Sequence, residues 1–223
     1  MIIMKQYILL FLLAICTSAY AQIPSGRSKT VTLFQDFQPA IIKLKDGKQS
    51  VHKQTNIFLK NSTLVYKKMP TGEIMEASMP VVESITMGER NFINVKNQLA
   101  EVVATEGNAS LVRVRIIDVE TMKGEYLNNS TITNLSMLDD LSAGRAIGES
   151  MSSTRMDGVE EEEPYPLMDT YYYVAGGKVT LAHERSVKLV IKKDQRKEYQ
   201  VAISLDFNWA KQEDLVKLLK FFK

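Results

Sequence analysis

The chain has 223 residues, with 28 basic and 26 acidic side chains, a net charge of +2 and a 45% hydrophobic composition. That balance excludes the strongly basic surface that nucleic-acid binding draws on, so no nucleic acid is expected as a partner. The single cysteine, Cys16, excludes intrachain disulfides and multi-cysteine metal centres, leaving packing as the source of stability.

Residues 1–21 read as an export signal. A short start containing Lys5 precedes an apolar run at 7–15 (YILLFLLAI), and Ala19-Tyr20-Ala21 gives the small-x-small pattern of a cleavage site. The run falls well short of the roughly 20 apolar residues of a bilayer-spanning helix, which favours a cleaved leader over an anchor. Cleavage before Gln22 leaves 202 residues without a thiol and with a net charge of +1. A lipoprotein signal needs a small residue before its cysteine, and Ile15 stands there, which disfavours lipid attachment at Cys16. No second long apolar run occurs, so the mature chain is expected to carry no transmembrane segment, with peripheral membrane association still open. The expected location is periplasmic, outer-membrane-associated or extracellular.

Residues 22–29 (QIPSGRSK) are polar and predict a flexible segment. From 30 to 182 the pattern is one of short strands separated by turn residues, a single antiparallel β domain. Val31-Thr32-Leu33-Phe34 opens it, and residues 40–45 lead into Asp46-Gly47, a hairpin turn whose residue types tolerate positive φ. Further strands are predicted at 56–60, 63–67, 73–79, 81–87, 92–95 and 99–105. Asn61-Ser62, Thr71-Gly72, residues 88–91 and Gly107-Asn108 supply the turns. Residues 111–117 (LVRVRII) form the most regular strand, with Leu111, Arg113 and Arg115 on one side and Val112, Val114 and Ile116 on the other. Such alternation predicts one core-facing and one wetter side.

Residues 118–132 admit either another strand pair or a loop with a short helix. Residues 142–166 are rich in Ser, Gly, Met and Glu and show no apolar period, which predicts a mobile loop. Tyr171-Tyr172-Tyr173-Val174 and residues 178–181 form a hairpin about Ala175-Gly176-Gly177. Residues 183–223 shift to helical character. Asp194 is the expected cap of a helix at 195–203, and Asn208 of one at 209–222, where Leu215, Leu218, Leu219 and Phe222 make an apolar stripe. The fold class expected is mainly β: an antiparallel meander forming a curved sheet, partial barrel or sandwich, with a small C-terminal helical tail packed on it (α+β).

Catalytic chemistry is sparse. Only His52 and His183 are available as near-neutral proton carriers, and they lack the neighbours of a zinc site. No Gly-x-Ser-x-Gly elbow, HExxH pair or phosphate loop occurs, so no catalytic residue, metal or cofactor is assigned. Glu160, Glu161, Glu162 and Glu163 form an acidic run and residues 188–197 (KLVIKKDQRK) a basic one; both read first as solvated faces. The best recognition candidates are Tyr165, Tyr171 and Tyr173 with that acidic run, because tyrosine buries apolar area while keeping a hydroxyl. Core packing competes with this reading, since alternation sends Tyr171 and Tyr173 to one face of the strand.

Several short motifs recur together: Ala19-Tyr20-Ala21-Gln22, Phe34-Gln35-Asp36-Phe37, a Lys45-Asp46-Gly47 turn, Tyr172-Tyr173-Val174-Ala175-Gly176-Gly177 and Asp214-Leu215-Val216-Lys217-Leu218-Leu219. In these the chain resembles exported, β-rich, envelope-associated proteins of Bacteroidota that have no assigned activity. The resemblance spans most of the mature chain and implies a Gram-negative envelope setting, and it transfers no catalytic residues. The expectation is a noncatalytic cell-envelope or secreted interaction protein with an envelope protein or a glycan as partner. One alternative is a binding module for a small apolar or glycan ligand. The other is a carboxylate-dependent hydrolase, which needs two carboxylates facing across a cleft at about 5–9 Å.

Overall fold

A computed structural model describes residues 26–128, 164–204 and 206–223. The turn residues set the meander. β1 (Arg27–Ser28) is followed by β2 (Gln38–Leu44), which turns through Gly47, at φ +83°, into β3 (Gln49–Phe58). The Asp46 carboxylate accepts the Lys48 amide across that turn at 3.0 Å. β4 (Thr63–Lys68), β5 (Glu73–Glu76), β6 (Val82–Met87), β7 (Arg90–Val95), β8 (Gln98–Glu106) and β9 (Ala109–Ile117) follow. Residues 118–132 begin with a helix, α1 (Val119–Asn128), whose first turn is held by Asp118 accepting the Thr121 amide at 3.0 Å. β10 (Tyr165–Ala175) and β11 (Lys178–Leu181) form the tyrosine hairpin. The chain ends in α2 (Glu184–Val190), α3 (Arg196–Ala202), α4 (Gln212–Val216) and a closing 3-10 turn, Leu219–Phe222.

The eleven strands make one sheet in the order β1-β10-β9-β8-β7-β6-β2-β3-β4-β5, with β11 also beside β10. Every described pairing is antiparallel. Register shifts in β2 and between Val102 and Ala104 of β8 bend the strands, the usual effect of an unpaired extra residue. The sheet curls into a half-barrel. Its β3–β4 end comes back onto β8 and β9, where the Leu99 amide donates to Ser62 O at 2.7 Å, the Ser62 hydroxyl to Leu99 O at 2.8 Å, and the Ile117 amide to Leu59 O at 2.8 Å. Among the three architectures left open by strand spacing, the curved sheet and partial barrel describe the molecule.

Inside the curl, Ala40, Ile42, Ile57, Leu64, Ile85, Met87, Phe92 and Leu99 make one buried cluster. At one end Ile117, Tyr165 and Met122 of α1 close over Val31, Phe58 and Leu59. At the other, Val187, Ile191, Tyr199, Leu215, Leu218, Leu219 and Phe221 from the C-terminal helices pack on Ala109, Leu111 and Tyr173. The opposite side of β7–β10 carries Val95, Ala100, Val112 and Val114, also buried. Among the described residues no helix is long and apolar enough to cross a membrane.

Several expectations are corrected. Val31-Thr32-Leu33-Phe34 makes only a single bridge, Thr32 to Phe58, because Ser28, Thr30 and Thr32 hydroxyls each donate to the carbonyl two residues on. Within the 22–29 segment, Arg27 and Ser28 pair with Pro166 and Tyr165, and residues 22–25 lie outside the described residues. β10 therefore starts at Tyr165, inside the predicted 142–166 loop, the rest of which, up to residue 163, lies outside the described residues. β9 has no wet side: Leu111 and Val112 are both fully buried. Asp194 caps nothing and stands in a 3-10 turn, Lys193–Gln195, ahead of α3. Asn208 instead accepts the Ala210 amide at 2.9 Å, and α4 starts only at Gln212.

Asn56 ties the 31–37 segment to the sheet. Fully buried, it accepts the Phe34 amide at 3.1 Å and donates to Phe34 O at 2.8 Å. Asn56→Ala leaves the Phe34 amide without its acceptor, while Phe34 O keeps the Thr32 hydroxyl, and urea unfolding should register a loss of about 1–3 kcal/mol. A loss under about 0.5 kcal/mol would contradict this role.

Candidate functional site

The concentration of polar chemistry lies on the inner face, midway between the two apolar ends. Strand parity puts it there. Leu111, Arg113, Arg115 and Ile117 of β9 point inward, as do Tyr165, Leu167, Asp169, Tyr171 and Tyr173 of β10 and Glu101 of β8. The register then sets Glu101 opposite Arg113, Arg113 opposite Tyr171 and Arg115 opposite Asp169.

These side chains form a continuous ladder. Arg90 Nε on β7 meets Glu101 Oε1 at 2.6 Å, and Arg113 Nη2 meets Glu101 Oε2 at 2.5 Å. Arg113 Nη1 lies 3.7 Å from Asp169 Oδ2. Arg115 grips Asp169 with two parallel bonds, Nε to Oδ1 at 2.6 Å and Nη2 to Oδ2 at 2.7 Å. The Arg90 guanidinium also stacks over the Phe34 and Phe92 rings, 4.8 and 5.4 Å from their centroids. Three guanidiniums against two carboxylates leave one net positive charge. Arg113 Nε is buried with no acceptor. The cleft beside the ladder, walled by Leu33, Ile57, Leu59, Phe92 and Leu99, has about 10 Å³ of free space, room for roughly one water.

The titrations follow from this pairing. Burial works against the Glu101 carboxylate, but hydrogen bonds from Arg90 and Arg113 outweigh it and hold its pKa below the usual glutamate value. The bond to Asp169 raises the Arg115 pKa further. Burial, with the nearby Asp169 charge, pushes the Tyr171 hydroxyl up. Because the folded pKa of Glu101 lies below its unfolded value of about 4.3, the carboxylate stabilises the fold above that pH and ceases to as pH falls through the folded pKa. Glu101→Gln should therefore unfold about 1–3 kcal/mol more easily than wild type at pH 7. The gap should close below about pH 4 in urea titrations at stepped pH, and a constant gap from neutral to acid would refute the assignment.

Of the residues singled out in the sequence, Tyr173 and Tyr165 are core side chains. The Tyr173 hydroxyl donates to Leu215 O at 2.7 Å and its ring stacks on Phe222 at 4.2 Å, while burial raises its pKa. Tyr171 is half-buried beside Asp169 and Arg113. Glu160, Glu161, Glu162 and Glu163 lie outside the described residues. His52 packs against Tyr66 at 5.2 Å, His183 precedes α2, and neither is in the ladder. Among the described residues no group of three or more His, Cys, Asp or Glu is placed to hold a metal. Sequence reasoning missed Arg90, Glu101, Arg113, Arg115 and Asp169. A usable signal existed for the two β9 arginines, which share parity with Leu111 and Ile117 at either end of the strand.

Comparisons with protein-family models, curated proteins and solved structures gave no match.

Proposed function

We propose that this is a noncatalytic interaction protein of the cell envelope or exterior, acting through its outer surfaces, as the resemblance to exported proteins of Bacteroidota implies. The observation that supports a noncatalytic reading is the mutual engagement of the inner-face charges. A catalytic carboxylate needs a free valence toward a substrate, whereas Glu101 and Asp169 have both oxygens bonded to arginine. The adjoining cleft, with room for roughly one water, supports placing recognition elsewhere than in that cleft. Export is supported by the apolar run at 7–15 and the Ala19-Tyr20-Ala21 pattern.

Fractionation of the native host followed by N-terminal sequencing tests the reading. Recovery from the envelope or medium with a mature terminus at Gln22 is expected. Protein found in the cytosol with Met1 to Ala21 intact would overturn it.

A further inference from the structure

Helices α2 and α3 carry outward faces for which the inner ladder gives no use. Each helix is anchored by one buried side chain, Val187 on α2 and Tyr199 on α3, in the same core cluster. At about 100° per residue, the positions two before and two after each anchor face away from that core. On α2 these are Arg185 and Leu189; on α3 they are Lys197 and Val201. The i, i+4 spacing stacks a cation and an aliphatic chain on each outward face. Leu189 is 81% exposed and Val201 76%, the two most exposed large apolar side chains among the described residues, and Val190 beside Leu189 is 48% exposed.

Charge points the same way. Residues 184–201 hold six cations (Arg185, Lys188, Lys192, Lys193, Arg196 and Lys197) against Glu184, Asp194 and Glu198. None of the six is ion-paired to a described carboxylate, and Glu198 is already held by Lys220 at 2.6 Å. Aliphatic side chains standing in water among unneutralised cations match the interfacial mode of membrane association. In that mode, apolar groups enter the acyl boundary while Lys and Arg meet headgroup phosphates.

We propose that α2 and α3 form a docking face for an anionic lipid surface. Leu189 and Val201 enter the acyl boundary, and Lys188, Lys192, Lys193 and Lys197 face the headgroups. The inference deepens the envelope reading and rests on it for where the protein meets a membrane.

The test is cosedimentation of the purified protein with vesicles of phosphatidylcholine alone, or of phosphatidylcholine with about 30% phosphatidylglycerol. Binding is expected to the anionic vesicles and to fall with added salt. Lys192→Gln with Lys193→Gln should weaken it about fivefold per charge removed. Leu189→Ser with Val201→Ser should remove most of it while leaving the urea midpoint unchanged, since both side chains are exposed. Equal partition onto the two vesicle types, or undiminished binding by the Leu189→Ser/Val201→Ser protein, overturns the proposal. So does self-association in place of vesicle binding, abolished by the same pair of changes, which would assign the face to a second copy. Failure here leaves the mature terminus at Gln22 unaffected, so the two readings fail separately.

Discussion

Tyr173→Ala is expected to cost about 3–5 kcal/mol, and its effect should be greatest on the C-terminal helices. Tyr173 is the place where the sheet and these helices are fastened. It is fully buried, its ring stacks on Phe222, and its hydroxyl is the donor for Leu215 O on α4. Removing the ring opens a cavity between β10 and α4 that Leu218 and Leu219, already packed, are poorly placed to fill. Tyr173→Phe keeps the ring and removes one of two donors to Leu215 O, which retains the Leu218 amide at 3.1 Å, for a smaller loss of about 1 kcal/mol. Urea unfolding of both variants, with amide exchange read separately over residues 184–222 and over β7–β9, distinguishes local from global loosening. Equal loss of protection in the two regions would contradict the local fastening.

The second large effect is expected at Arg115. Arg115→Met removes the bidentate partner of Asp169 and leaves a carboxylate against the inner face with only the distant Arg113 contact at 3.7 Å. Breaking a buried pair from one side costs about 3–5 kcal/mol; partial solvent access here reduces the expected loss to about 2–4 kcal/mol. Arg115→Met combined with Asp169→Leu should recover most of that loss, because no unpaired charge remains. A double-mutant cycle by urea unfolding gives the coupling directly. Additive losses, with no recovery in the double variant, would contradict an ion pair of structural weight.

The strand meander was legible because its turns carry residues suited to positive φ. Gly47, Gly107, Gly176 and Gly177 all adopt it. What alternation did not disclose is which side of β9 is dry. Both sides of β9 carry buried residues, and Arg113 and Arg115 face the concave side, where they pair with Glu101 and Asp169 of the neighbouring strands. Such pairing depends on register, which a single strand does not carry. Residues 31–34 have a strand-like composition, yet the Ser28, Thr30 and Thr32 hydroxyls bond the backbone locally and compete with ladder pairing. Near the C-terminus the apolar stripe was correct for Leu215, Leu218 and Leu219. A 3-10 turn then carries Phe221 into the core, three residues after Leu218, and leaves Phe222 at the margin against Tyr173.

The central claim is that the inner charges satisfy one another within the half-barrel and take no part in recognition or reaction. Replacing Arg90→Met, Glu101→Leu, Arg113→Met, Arg115→Met and Asp169→Leu together tests it most directly, with urea stability and capture of partners from envelope extracts measured on the same protein. Stability within about 2 kcal/mol of wild type and an unchanged set of captured partners are predicted. A variant that folds normally and loses those partners, or loses a turnover that wild type performs, would contradict the claim.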